Sequence, residues 1–264
     1  MSEDSALLVN GTVHQQSHTA TDTIQHSLIT IGGTNYDIDV SQIPYLSSFV
    51  NFQDKASPQG TELVHGPIPL IDGALLGIRS GYRQCFRALP PDIHQHQMLC
   101  ETYDFLGVDV LAGQYIDEIF ADLKACKIDY ELEYKRYLAI KGNKSKARDA
   151  AFKLLYLILV GEFRDENMDC MKVFNAVLFV VSHSATFKWK TRTVIRAAYQ
   201  ERFVVTLKQI ARLDEWLKGD TEDEVEADVT TTDESSDEYY NSDYSQGKLR
   251  LQDIYYEIFR LSFS

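Results

Sequence analysis

The segment Ser27-Leu-Ile-Thr-Ile-Gly-Gly-Thr-Asn-Tyr-Asp-Ile-Asp-Val40 leaves its backbone few choices. Leu28, Ile29 and Ile31 make a β-rich run. Tyr36, Ile38 and Val40 then alternate with Asp37 and Asp39, the period of two that marks a strand with one buried face. Gly32 and Gly33 between them supply the positive φ that a tight hairpin turn requires. A hairpin commits the chain to a sheet, yet most apolar residues after position 70 recur at three and four. The fold class expected is α+β: a small sheet with helices, followed by a mostly α-helical C-terminal region.

Ser41 reads as the N-cap of a first helix, with Pro44 in its opening turn and Leu46, Phe49 and Val50 facing inward. Asp54 to Gly60 reads as a loop. Pro67-Ile-Pro-Leu-Ile71 reads as a short extended segment, because each proline disfavours helix in the residue before it. Gly73 to Leu89 is helical by pattern and is stopped by Pro90-Pro91. Helices are also expected at Met98–Phe105, Leu111–Cys126 and Ala147–Phe163, the last carrying the densest apolar block. Val173–Val181 is ambiguous between helix and strand, and its neighbours favour helix. Thr191 to Leu217 reads as one long amphipathic helix.

The 264 residues carry 39 acidic and 26 basic side chains, a formal charge of −13. Eleven of the acids lie between Asp220 and Gln246, where there is no Lys or Arg. Without them 28 acidic face 26 basic residues, so the body is nearly neutral and general attraction to nucleic acid is not expected. The expected organisation is a disordered lead-in at 1–26, a first domain at 27–125 and a helical region at 126–218. An acidic disordered linker at 219–247 and a short C-terminal helix at 248–264 complete it. Four scattered cysteines (Cys85, Cys100, Cys126 and Cys170) and an acidic start lead us to expect a cytoplasmic or nuclear protein. The longest apolar run, Leu154–Val160, is far short of the roughly 20 residues needed to span a bilayer, so no membrane association is expected.

The order of these pieces carries a resemblance. A hairpin, a helix and the acid-ended segment Pro67-Ile-Pro-Leu-Ile-Asp72 lead to a helix closing in Thr102-Tyr-Asp-Phe-Leu-Gly-Val108. Over residues 27–125 this resembles the BTB/POZ fold, and the whole chain resembles fungal proteins that join such a domain to a helical C-terminal region. The resemblance implies a non-enzymatic adaptor, acting through a protein partner or self-association. Family members that recruit cullin ubiquitin ligases typically show an apolar-x-Glu motif near the middle helix. Asp72 to Leu89 contains no glutamate, which leaves a ubiquitin-ligase substrate adaptor as a secondary reading. Gly77, Gly81 and the arginines Arg79, Arg83 and Arg87 depart from the family pattern, as does Thr102 where an alanine usually stands. On the Gly73–Leu89 segment we expect an interface of Arg79, Tyr82, Arg83 and Phe86, since Arg and aromatics are enriched at binding hot spots.

Motifs that would carry chemistry fail one by one, and neither a cofactor nor a metal is expected. Lys141-Gly-Asn-Lys-Ser145 lacks the first glycine of a phosphate loop, Tyr137 standing in its place, and reads as a basic turn before a helix. His94 and His96 lack a third ligand at motif spacing and read as solvent-exposed. Ser182-His183 has no assignable acid partner or nucleophile elbow. Asp165–Asp169 reads as a polar helix cap. One basic, aromatic-containing patch remains: Lys188, Trp189, Lys190, Arg192 and Arg196, with Arg202, Lys208 and Arg212 beyond. Its alternative use is in a transcription- or chromatin-associated regulator working through residues 188–212. The acidic stretch begins beside the far end of this helix and is an available intramolecular partner. Ser235, Ser236 and Ser242 sit among its acids, as sites of acidophilic kinases do.

Overall fold

The computed structural model describes residues 26–56, 62–124, 143–161, 163, 166–184 and 186–217. The protein is α+β. Its three-stranded sheet has the order β2-β1-β3, and nine helices follow or flank it among the described residues. The expected lead-in, acidic linker and C-terminal helix lie outside the described residues, as does the 125–126 boundary between the first domain and the helical region.

β1 (His26–Ile31) and β2 (Thr34–Asp39) pair antiparallel, with Ile31 opposite Thr34. That register leaves a two-residue loop, and Gly32 and Gly33 take φ of +60° and +89° there, the left-handed geometry of a hairpin turn. Ile29, Ile31 and Ile38 point into the core, whereas Leu28 and Asp37 face outward. β3 (Leu63–His65) runs parallel to β1, and Gly32 N donates to His65 O at 3.1 Å. The strand therefore falls just before the expected Pro67–Ile71. Pro67 and Pro69 have no N–H to give a ladder, and residues 69–70 form a turn instead.

α1 (Pro44–Ala56) buries Leu46 and Val50. Ser41 does not cap it. Asp39 caps a preceding 3-10 turn, Val40–Gln42, by accepting from Ser41 N at 3.1 Å, and that turn delivers the chain to Pro44. The helix expected over Gly73–Leu89 is broken in two. α2 (Ile71–Ser80) ends where Gly81, at φ +91°, donates to Gly77 O. A 3-10 turn, Tyr82–Gln84, then leads into the single turn α3 (Cys85–Ala88). α4 (Ile93–Leu106) starts earlier than the pattern implies, because Asp92 caps it by accepting from His94 N at 2.9 Å. α5 (Ile116–Leu123) starts later than Leu111, because Asp109 accepts from Ala112 N and holds a turn there.

α6 (Lys144–Leu159) is the hub of the second half. Nine of its sixteen residues are buried, and it touches α4, α5, α7 and α8 as well as the Tyr82–Gln84 turn. A helix apolar on nearly every side belongs inside a protein. α7 (Glu166–Ser182) resolves the ambiguous Val173–Val181 run as helix. The long helix expected over Thr191–Leu217 is two, α8 (Trp189–Arg202) and α9 (Leu207–Leu217). Thr206 and Gln209 make a reciprocal cap that starts α9: Thr206 N donates to Gln209 Oε1 and Gln209 N to Thr206 Oγ1. One continuous cluster of buried apolar side chains runs from Ile29 in the sheet to Leu213 in α9.

Candidate functional site

The residues expected at an external interface sit mostly at an internal one. Phe152 of α6 is fully buried, and three aromatic rings close around it. Tyr82 stacks on it at 5.6 Å with an 11° interplanar angle, and Phe86 and Tyr103 meet it edge-on at 5.7 and 5.9 Å. Phe86 is buried, and burial pushes the half-buried Tyr82 phenol up to about 12. Asp149 of α6 accepts from Arg83 twice, at 2.8 Å from its backbone N and 3.0 Å from its Nη1. Of the four expected residues Arg79 alone is exposed, and its guanidinium donates to the backbone carbonyl of Asp37. The other three join the sheet-bearing half to the helical half.

That seam depends on close approach between α2 and α4. A Cβ added to Gly77 would lie 2.1 Å from Tyr103 Oη and 2.8 Å from Cys85 Sγ. Tyr103 Oη donates to Ala74 O at 3.1 Å and lies 3.4 Å from Cys85 Sγ. Burial raises the Tyr103 phenol and pushes the Cys85 thiol up to about 12. Both groups are neutral packing elements at physiological pH. Cys100 is buried, and its thiol is raised for the same reason.

A cleft of about 760 Å³ opens beside the seam, between Gln42, Gly81, Asp109, Asp122 and Lys153. Lys146 donates to Asp122 at 2.7 Å, Gln114 donates to Asp122 at 3.0 Å, and Lys153 donates to Gln114 Oε1 at 2.7 Å. Partial burial works to raise the Asp122 carboxyl. The hydrogen bonds from Lys146 and Gln114 outweigh it and hold the group below the usual carboxylate range. These contacts tie the loop before α5 to α6 and pair the charges of Asp122 and Lys146. Asn143, next to the phosphate-loop look-alike, accepts from Lys146 N at 3.1 Å and caps α6.

The basic patch does not form one solvent face. Lys188 is exposed and Lys190 half-buried, but Arg192 is only 1% exposed and Arg196 pairs with Asp214 of α9. α8 packs against α3, α4, α6, α7 and α9, so a stripe along it runs through contacts with the rest of the chain. Arg202 is exposed at its far end, and the accessible lysines lie at its start. There Lys188, Lys190 and Thr191 line a small recess with Arg83, Phe86, Arg87 and Arg148, side chains drawn from three parts of the chain.

His96 is fully buried rather than solvent-exposed, on the inner face of α4. Its Nδ1 lies 2.9 Å from the carbonyl of Asp92, which can only accept, so Nδ1 carries the proton. Burial lowers its pKa, and the ring is neutral near pH 7. His183 Nδ1 likewise meets Phe179 O at 2.6 Å, while Ser182 Oγ donates to the same carbonyl at 3.1 Å. Both donors finish α7, and the nitrogen nearest Ser182 is committed as a donor rather than held as a base. Among the described residues no three His, Cys, Asp or Glu side chains gather as a metal site. Ser235, Ser236 and Ser242 lie outside the described residues, as do Cys126 and Asp165.

The molecule is thus an α+β protein whose small sheet shares a core with a helical C-terminal region. Among the described residues no helix is long and apolar enough to cross a membrane. Comparison with protein-family models, with curated proteins and with solved structures gives no match to this chain.

Proposed function

We propose that the chain is a non-enzymatic interaction protein, an adaptor or self-associating module acting through its BTB-like N-terminal part. The observation that carries this reading is the outward face of the sheet. Leu28 is 65% and Val64 59% exposed there, on the side opposite Ile29 and Ile31. Polar contacts frame them: Thr30 Oγ1 donates to Asn35 Oδ1 at 2.7 Å and lies 3.2 Å from Glu62 Oε1, and His26 meets Asp37 at 3.1 Å. Apolar side chains inside a polar border are the common anatomy of protein interfaces. The nucleic-acid alternative needs an exposed basic stripe, and Arg192 and Arg196 are committed within the fold.

Multi-angle light scattering on the full chain tests self-association, with Leu28→Asp as the diagnostic variant. The full chain is the right species because residues 27–125 alone would lose the Phe152 contacts. A dimer that Leu28→Asp converts to monomer supports the reading. A strictly monomeric chain overturns self-association, and a dimer indifferent to Leu28→Asp overturns the face.

A further inference from the structure

α1 keeps an aromatic stripe outside the core. Tyr45, Phe49 and Phe52 recur at four and three, so they share one side of the helix over about 10 Å, apart from the side that buries Leu46 and Val50. His65 of β3 meets Tyr45 and Phe49 edge-on, with ring centroids 5.6 and 5.2 Å apart. Phe105 of α4 adds a fourth aromatic ring, its centroid 4.4 Å from that of Tyr45. The polar atoms of this group are engaged within the chain: Tyr45 Oη lies 2.8 Å from His65 Nε2, and His65 Nδ1 donates to Gly66 O at 2.7 Å. What meets solvent is therefore ring surface, with Phe52 67% and Phe105 50% exposed. The sheet face offers Leu28 and Val64, and the turn between α8 and α9 offers Val204 and Leu207, with no ring among them.

We propose that this aromatic face is the docking site of the chain's own residues 248–264. That stretch has the sequence pattern of an amphipathic helix. Leu251, Ile254, Tyr255, Ile258 and Phe259 follow at three and four, while Arg250, Asp253, Glu257 and Arg260 fall on the opposite side. From Leu251 to Phe259 the apolar stripe runs about 12 Å, close to the length of the stripe on α1. Leaving such a stripe in water is costly, and a ring-lined face of similar length is the surface of the described fold that matches it best. The length of the chain allows the contact. α9 ends at Leu217, and the 31 residue steps from there to Lys248 span at most about 100 Å, against a diameter of about 40 Å for a domain of this size. The eleven acids of 220–246 suit a spacer and not an occupant, because burying carboxylates against rings is costly. Docking of a tethered segment is unimolecular, so it does not depend on protein concentration. The proposal is independent of what the sheet face binds.

Hydroxyl-radical footprinting of the full chain, resolved to single residues by peptide mass spectrometry, reads the cover on Phe52 and Phe105. Ile258→Asp puts a charge in the middle of the apolar stripe and should raise oxidation of both rings several-fold, with Leu28 and Leu207 unchanged. Glu257→Gln, on the opposite side of the stretch, should leave all four positions as in the parent. Phe52→Asp approaches the contact from the other partner and should raise oxidation of Phe105 in the same way; a thermal melt verifies that each variant folds. The protection should persist on dilution, which separates a segment of the same chain from a second copy. Rings indifferent to Ile258→Asp, a rise at Leu28 or Leu207 as large as that at Phe52, or protection that vanishes on dilution would each overturn the proposal.

Discussion

The seam around Phe152 and the outward face of the sheet both carry apolar residues beside charged ones. The seam holds Tyr82, Phe86 and Arg83, the composition expected of a binding hot spot, and it is consumed inside the chain. The sheet face holds Leu28 and Val64, which look unremarkable in sequence, and it stays open. Aromatic and arginine content marks where two surfaces are held together. It does not say whether the second surface belongs to another molecule. Here α6 arrives from some 70 residues further along and supplies Phe152 and Asp149 to the seam, while no described element covers Leu28 and Val64 on the outward face of the sheet.

The sharpest way to break the comparison is Phe152→Ala. It removes the ring on which three others pack, and we expect a loss of about 3–5 kcal/mol in urea unfolding. If the two halves were joined only loosely, the loss would be small and unfolding would show two steps. Gly77→Ala comes next. An exposed helical glycine gains about 1 kcal/mol on such a change. At Gly77 the added carbon meets Tyr103 Oη at 2.1 Å, so α2 must move off α4, and we expect a net loss of about 1–3 kcal/mol. A stabilised Gly77→Ala protein would refute the close approach.

Asp149→Ala should cost less, on the order of 1 kcal/mol. The pair with Arg83 is about a quarter exposed, and solvent screens part of its value. A double-mutant cycle with Phe152→Leu measures whether the ionic and aromatic halves of the seam act together. The pH dependence at His96 is smaller again. Its folded pKa is depressed below 6.5, so between those two values the unfolded chain binds a proton that the folded chain does not. Stability from this residue is complete above pH 6.5 and is lost as pH falls through the folded pKa. His96→Asn removes the titrating group. Its urea midpoint should fall less than that of the parent between pH 7 and pH 5.

Local signals were legible wherever neighbours in sequence decide the outcome. The hairpin, with its glycine turn, its inward isoleucines and its two-residue loop, is readable from Ser27–Val40 alone. The break between α8 and α9 is also written locally, in the Thr206-x-x-Gln209 cap, but the apolar spacing that continues through it masks the signal. Gly81 likewise ends α2 inside a run whose apolar spacing carries on to Leu89. What sequence could not supply was long-range placement. Nothing local to His96 says that Phe86 will lie 5.6 Å away or that its ring will be fully buried. Arg192 looks solvated on a helical wheel and is buried because α8 is packed from several sides. The recess is the extreme case: its arginines and lysines come from segments up to about a hundred residues apart, and only the fold makes them neighbours.

The smallest expected effect sharpens the comparison most. Leu28→Ser together with Val64→Ser should change the folding stability of the monomer by no more than about 0.5 kcal/mol, the usual range for exposed positions. Neither side chain is needed for the core, because Ile29 and Ile31 on the opposite side of the same strand fill it. A loss of several kcal/mol would mean that the outward face is covered in solution, by a second copy or by a segment outside the described residues. Urea midpoints taken at two protein concentrations separate those cases. A second copy makes the loss depend on concentration, whereas a segment of the same chain does not. A neutral result at both concentrations rules out a stable second copy on the sheet face and leaves its two apolar residues as surface the fold does not require, open to a different partner.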